Sequence, residues 1–379
     1  MSPIVLNRIE MIGLRLKVMR QLYQVFYEKT RDPLKALLML NKVKNKYQRI
    51  FGERFLSKAA RVGNRYFWRL AAPGFPSLAN YRMHQNEINR FVPTAHSNGM
   101  RSVLFAITKK CPLSCEHCFE WNNLSKSETL SVDEIIAIIH KYQDYGTTQM
   151  MLSGGEPMVR INDVYKILDK AKEGTDFWII TSGIGLHDEQ ATRLKAKGLT
   201  GVMISLDHYE EAGHDKFRGF GGSFQAAIQA VKSANKAGLV VTLALCSTRE
   251  FTTSANLISY MDLAKDLGVA FVQLIEPRAT GRYESMDVAL GKEHISLLED
   301  FYYRYNTEKA FRQYPIINYL GYHQRRVGCF GAGDRFFYID TDGDAHICPY
   351  CVKKVSNTIN ETAIQTVESL SQHSCHEYV

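Results

Sequence analysis

The stretch VLFAITKKCPLSCEHC, residues 103–118, sets the reading of the whole chain. Val103–Thr108 is a short apolar run rich in β-branched and aromatic residues, the pattern of a buried strand. Cys111, Cys115 and Cys118 follow directly, spaced C-x3-C-x2-C in a loop at the strand's carboxyl end. Outward from this point the texture repeats. Further strands are expected at Gln149–Leu152, Phe177–Thr181, Val202–Leu206, Val240–Cys246 and Phe271–Ile275. Amphipathic helical stretches separate them, among them Ser131–Tyr145, which opens on the capping-box residues Ser131 and Glu134. Strands alternating with helices build a parallel sheet whose chemistry collects at the carboxyl ends. The expectation for residues 101–310 is therefore an α/β fold, a partial (β/α)6 barrel of parallel strands.

The flanks differ from this middle. Residues 1–100 read as a basic, amphipathic helical segment followed by a connector. Ile9, Ile12, Leu16, Met19 and Leu22 recur at steps of three and four, and a second helix is expected from Asp32 and Pro33 onward. No strand is expected within residues 1–70. The formal charge of the 379-residue chain is +8, yet residues 1–70 alone hold 16 Lys and Arg against 4 Asp and Glu. A basic segment on a slightly acidic body calls for an anionic partner: lipid, nucleic acid or an acidic peptide. Residues 311–379 read as a small Cys-rich extension with a β-hairpin, Phe336–Asp340 and Ala345–Cys348 around an Asp-Gly turn. The eight cysteines gather mostly in two clusters, which favours metal over disulfides. No signal-peptide core and no run of roughly 20 apolar residues is present, so a cytoplasmic location is expected, peripheral on the membrane's inner face if the basic segment docks there.

Three thiolates are one short of the four that a cubane iron–sulfur cluster takes, leaving one iron open for chemistry. A structural zinc site is the bland alternative, although such sites are closed by a fourth ligand, and His117 is poorly placed beside Cys118 to supply it. Near the C-terminus, Asp340, Asp342 and Asp344 alternate like a calcium loop. Ala345 stands where that loop needs glycine, so a hairpin turn accounts for them. Cys246, in an apolar strand, reads as a core residue.

The three-cysteine loop resembles that of the radical S-adenosylmethionine (radical SAM) superfamily, with His117 in a position usually aromatic. The resemblance covers roughly residues 100–310. Ser153-Gly154-Gly155-Glu156-Pro157 resembles the segment that contacts the SAM amino group, which points to Gly154, Gly155 and Glu156. Ser205 and Arg218 match a Ser and an Arg that bind the SAM carboxylate, while Asp207, Thr181 and Ser182 are weaker cofactor candidates. Residues 276–282 look like the adenine-side loop. The resemblance implies a [4Fe-4S] cluster with an open iron, SAM as cofactor, and an electron donor such as flavodoxin or ferredoxin.

Cys329, Cys348, Cys351 and Cys375 resemble a shortened form of the SPASM extension, nearer the abbreviated twitch form, and imply one auxiliary [4Fe-4S] cluster. A full extension has more cysteines. A structural zinc ion, using His346 or His373 as well, is the alternative for this set. His208, Tyr209, Glu276 and Arg278 follow strand ends and are candidates to meet substrate. The extension favours a peptide or protein substrate and the basic front end a membrane-associated lipid; the lack of strands in residues 1–70 counts against a leader-peptide module. A non-catalytic zinc protein binding nucleic acid is the competing class, but it leaves the ordered motifs unexplained.

Overall fold

The computed structural model describes residues 3–51, 57–91, 99–351 and 353–373. Its first elements are strand β1 (Ile4–Val5), helices α1 (Arg8–Thr30) and α2 (Pro33–Phe51), strands β2 (Ala60–Val62) and β3 (Arg65–Phe67), and helix α3 (Leu78–Phe91). Helix α1 starts where Asn7 and Glu10 form a reciprocal capping box. Helix α2 starts where Asp32 accepts from the amides of Leu34 and Lys35, with Pro33 in the first position as expected. Strands β1, β2 and β3 form a small antiparallel sheet, which corrects the expectation that residues 1–70 hold no strand. Runs of two and three residues are too short to show alternation, and Gly63-Asn64 was the one turn signal available.

The barrel follows: β4 (Ser102–Ala106), α4 (Val132–Asp144), β5 (Gln149–Ser153), α5 (Ile161–Lys170), β6 (Asp176–Thr181), α6 (Asp188–Ala196) and β7 (Leu199–Ser205). It continues through α7 (Glu211–Arg218), α8 (Ser223–Ala237), β8 (Val240–Cys246), α9 (Ser254–Asp266), β9 (Phe271–Ile275) and α10 (Lys292–Thr307). The chain ends with β10 (Ile316–Tyr319), α11 (Leu320–Val327), β11 (Phe336–Ile339), β12 (Asp344–His346), β13 (Ser356–Asn357) and α12 (Ala363–Ser371).

All six expected parallel strands are present, β4 to β9 in sequential order. Two more widen the sheet, β10 beside β9 and β11 beside β4, both parallel, so strands past residue 310 belong to the same sheet. Strand β11 also opens the expected hairpin with β12, to which β13 adds. Its register puts Phe337 opposite Val103 and Ile339 opposite Phe105.

Side chains alternate across the sheet. One set, including Val103, Phe105, Met150, Leu152, Val202 and Val241, packs in the large core shared with the helices. The other set faces the lumen, where Trp178, Met203, Val240, Phe271 and Ile316 meet Ala60, Val62, Phe67 and Leu70. These lumen residues lie mostly toward the amino ends of their strands, so the β2–β3 hairpin forms the barrel's floor. Arg65 pairs there with Asp176 at the start of β6. The Lys58 ammonium donates to the carbonyls of Tyr305, Phe311 and Pro315 at 2.9, 3.0 and 3.2 Å. With the floor sealed, the carboxyl ends are the accessible face. Among the described residues no helix is long and apolar enough to cross a membrane.

Candidate functional site

The cysteine loop leaves β4 at its carboxyl end and is gripped from three directions. From the end of β5, the amides of Gly155 and Glu156 donate to the carbonyls of Thr108 and Lys110 at 2.7 and 2.8 Å. A Cβ on Gly155 would stand 2.2 Å from the Lys110 oxygen, and one on Gly154 would stand 2.5 Å from that of Thr108. Both glycines therefore let two backbones touch, a constraint internal to the protein. From the end of α7, the carbonyls of Arg218 and Phe217 accept from the amides of Ser114 and Glu116 at 3.2 and 3.0 Å. From the loop after β9, the Arg282 amide donates to the Cys118 carbonyl at 2.9 Å. Its guanidinium donates to the carbonyls of Ser114 and Cys115 and lies 4.5 Å from the centre of the Trp121 ring. Sequence reasoning placed this segment on the adenine side and missed Arg282, because nothing local distinguishes it from a surface arginine.

Cys115 is buried, Cys111 and Cys118 half-buried. Burial pushes the Cys111 thiol up to about 11 and the Cys118 thiol up to about 12, and the charges of the neighbouring cysteines add to both shifts. Three converging cysteines, with the Cys111 and Cys118 thiols held protonated by burial, suit a cationic metal centre that binds them as thiolates. Arg218 is buried beside them: one guanidinium nitrogen lies 3.5 Å from the Cys115 sulfur and another 2.5 Å from Asp207. Burial opposes its charge, but Asp207 and Cys115 outweigh that and raise its pKa. Its Nε is buried without a hydrogen-bond partner. An orphaned guanidinium N–H beside an open-sided cluster loop fits the carboxylate of an amino-acid ligand such as SAM. Ser205, the last residue of β7, is half-buried on the lumen side.

The other cofactor candidates are engaged within the protein. Glu156 is 2% exposed and accepts four hydrogen bonds, from the Met158 and Ser182 amides and the Thr181 and Ser182 hydroxyls, at 2.6–3.0 Å. Burial raises its pKa despite those donors. The structure thus brings Glu156, Thr181 and Ser182 together as a tie between the ends of β5 and β6. Asp207 accepts from the Cys246 amide at 2.8 Å and caps no helix among the described residues. His117 stacks on Phe217 with centroids 4.8 Å apart, and burial lowers its pKa to about 4.

Among the substrate-facing candidates, His208 stacks on Tyr209 at 4.7 Å with Phe251 against both. Glu276 accepts from Tyr319 at 2.6 Å and pairs with Arg325 at 2.7 Å, while Arg278 lies 3.7 Å away. These two groups follow different strands, β7 and β9.

In the extension, the sulfurs of Cys348 and Cys351 are 3.3 Å apart, and Cys329 is near enough to raise the Cys348 thiol further. The Cys329 sulfur accepts from the Gly331 amide at 3.3 Å. Cys375 lies outside the described residues. His346 bonds Asp340 at 3.0 Å and the Cys351 carbonyl at 3.2 Å, and Asp340 accepts from the Asp342 and Asp344 amides, the hairpin-turn role expected of this acidic run. The extension docks on the first cysteine loop. Phe119, next to Cys118, packs edge-on against both Tyr338 and Tyr350, and the Tyr338 hydroxyl donates to buried Glu120. Lys109 meets Asp342 in the hairpin turn at 2.6 Å.

A parallel partial barrel with a three-cysteine loop clamped at its strand ends defines a class: an enzyme that works at an iron–sulfur cluster in the mouth of the barrel. The profile described as the Radical SAM superfamily matches residues 105–249. Residues 105–249 are thus a radical SAM domain, and this domain makes the chain an enzyme that uses a [4Fe-4S] cluster and SAM, which overturns the non-catalytic zinc alternative. It is 26% identical over 316 residues to an AdoMet-dependent heme synthase of Nitratidesulfovibrio vulgaris, covering 74% of this chain and 84% of that one. It is 30% identical over 202 residues to a probable GTP 3',8-cyclase of Methanococcus maripaludis, covering 52% and 64%. In fold it is similar to Streptococcus suis SuiB bound to the precursor peptide SuiA, with a TM-score of 0.59 at 15% identity over 79% of this chain and 69% of that one.

Proposed function

We propose that Cys111, Cys115 and Cys118 hold the SAM-cleaving cluster and that the enzyme abstracts hydrogen from a peptide, protein or membrane-associated lipid in the barrel mouth. The three-sided clamp on the cysteine loop carries this reading. It fixes three thiols and leaves the lumen side for a ligand. When bound, the cluster and SAM supply a 5′-deoxyadenosyl radical. Arg218 orients the SAM carboxylate through its unpartnered Nε while its other nitrogens stay on Asp207 and Cys115. Ser205 serves the same group from the end of β7. Glu156, consumed by four donors, acts by holding Ser182 and the β5 end in place. His208, Tyr209, Glu276 and Arg278 line the approach for substrate.

Cys329, Cys348 and Cys351, with Cys375, hold one auxiliary iron–sulfur cluster in the same proposal, and an electron donor such as flavodoxin or ferredoxin reduces the enzyme. Iron and sulfide are measured in anaerobically reconstituted wild type and in the variant with Cys111, Cys115 and Cys118 all changed to Ala. About eight iron in wild type and about four in the variant supports two clusters. A variant that keeps all of the wild-type iron and still releases 5′-deoxyadenosine from SAM overturns the assignment.

A further inference from the structure

Helices α1 and α2 are separated by Arg31 and Asp32 and run antiparallel as a helical hairpin. Their inner faces are well used. Met11, Leu14, Val18, Val25 and Phe26 of α1 and Ala36 and Leu40 of α2 are buried against Leu6, Ala59, Phe75 and Ile88. Their outer faces are apolar too. Ile9, Ile12, Leu16 and Tyr27 recur at helical spacing along α1, and Ile9 and Leu16 are 82% and 67% exposed. Leu34, Leu37 and Leu38 do the same on α2, with Leu34 71% exposed. A helix in water gains nothing from a second apolar stripe opposite its buried one, and contiguous exposed patches of this kind mark interaction sites.

The charges around the stripes are nearly all positive. Lys17, Arg20, Arg31, Lys42 and Lys44 form no ion pair among the described residues. The three acids of the hairpin each have partners within the protein, among them Lys35 for Asp32 at 3.7 Å. Glu10 caps α1 and stands 3.9 Å from Arg61, Glu28 accepts from Tyr81, and Asp32 caps α2. Exposed leucine and isoleucine flanked by lysine and arginine is the composition that seats a helix in the headgroup layer, with the basic side chains reaching anionic lipid.

We propose that the outward face of the α1–α2 hairpin docks on an anionic lipid bilayer, inserting Leu34, Leu37, Leu38 and the Ile9–Leu16 stripe while the surrounding Lys and Arg bind headgroups. This surface is independent of the cluster assignments above. A nucleic acid would use the charges and leave the leucines idle, whereas a bilayer uses both.

The test is co-sedimentation of the full-length protein with vesicles of phosphatidylcholine alone and of equal parts phosphatidylcholine and phosphatidylglycerol. Wild type is expected to pellet with the anionic vesicles and stay in solution with the neutral ones. In the variant Leu34→Ser, Leu37→Ser, Leu38→Ser, each exchange is expected to weaken partition by about three- to tenfold. These residues are exposed, and unchanged circular dichroism checks that the variant is folded. A second variant, Lys17→Gln with Arg20→Gln, weakens binding by about tenfold and reduces its salt dependence. Failure to bind anionic vesicles overturns the proposal. Equal binding by the leucine variant, or retention on duplex DNA with no vesicle binding, overturns it in favour of a purely electrostatic face.

Discussion

Gly155 shows what a single residue decides here. Its missing Cβ lets the Gly-Gly-Glu segment lie against the cysteine loop, and any side chain meets backbone that cannot swing aside. Gly155→Ala is expected to leave the barrel folded but to reduce reconstituted iron to about half of wild type or less, because the loop must shift. Circular dichroism beside an iron assay checks this. The Asp207–Arg218 pair acts similarly, since both groups are buried. Arg218→Met strands a buried carboxylate, with an expected loss of about 3–5 kcal/mol in urea unfolding of the metal-free protein. The double variant with Asp207→Asn is expected to recover most of it, because the uncompensated charge is gone. A double variant no better than Arg218→Met would refute the pairing argument.

The docking of α1 onto α3 combines apolar packing with two polar contacts, Tyr81 to Glu28 and those of Gln21. Gln21 donates from one amide nitrogen to Asn80 at 2.9 Å and to Nδ1 of His84 at 2.8 Å, so His84 must be neutral to accept. Burial lowers the His84 pKa to about 4 from its ordinary 6.5. An unfolded chain takes up this proton at higher pH than the folded one. The contribution of His84 is therefore complete above about pH 6.5 and is lost as pH falls toward 4, up to about 3 kcal/mol in all. Amide exchange in α1 is expected to accelerate over that window, and His84→Gln is expected to flatten the dependence. The hairpin of β11 and β12 is joined to the site by the β11–β4 ladder, by Phe119 against Tyr338, and by the bonds of Tyr338 to Glu120 and Lys109 to Asp342.

At the scale of the molecule, the N-terminal segment closes the barrel's floor. Phe67 is 2% exposed against lumen residues of β6 to β10, and Phe67→Ala is expected to cost about 3–5 kcal/mol by urea denaturation. Removal of residues 1–70 would uncover Trp178, Met203 and Phe271, and that truncated chain is expected to aggregate on expression, as a solubility assay would report. Lys58 adds a second anchor. Its three carbonyl partners match the three hydrogens of an ammonium, while burial pulls its pKa down to about 7. Over the range from about pH 7 to 10.5 the unfolded chain holds the proton more tightly, so this group's contribution to stability rises with pH there. Lys58→Met strands three buried carbonyls and is expected to lower stability by about 2–3 kcal/mol while removing that slope.

The sequence by itself determined the barrel strands β4 to β9, the caps of α2 and α4, the hairpin turn at Asp342-Gly343, and the cysteine loop with the strand that presents it. Those features are written in local terms: periodicity, capping chemistry and spacing along a few residues. What only the tertiary structure decided depends on partners far away in the chain. Strand β11 joins β4 across more than half the sequence, β2 and β3 become a barrel floor, and Arg282 reaches back to hold the cysteine loop. Arg218 and Asp207 were legible as cofactor candidates, but their pairing, and the Nε left without a partner beside Cys115, arise only when β7, α7 and the loop converge. A contact between distant residues leaves no periodic trace in either segment, and for that reason the chemistry was legible while the clamp that holds it was not.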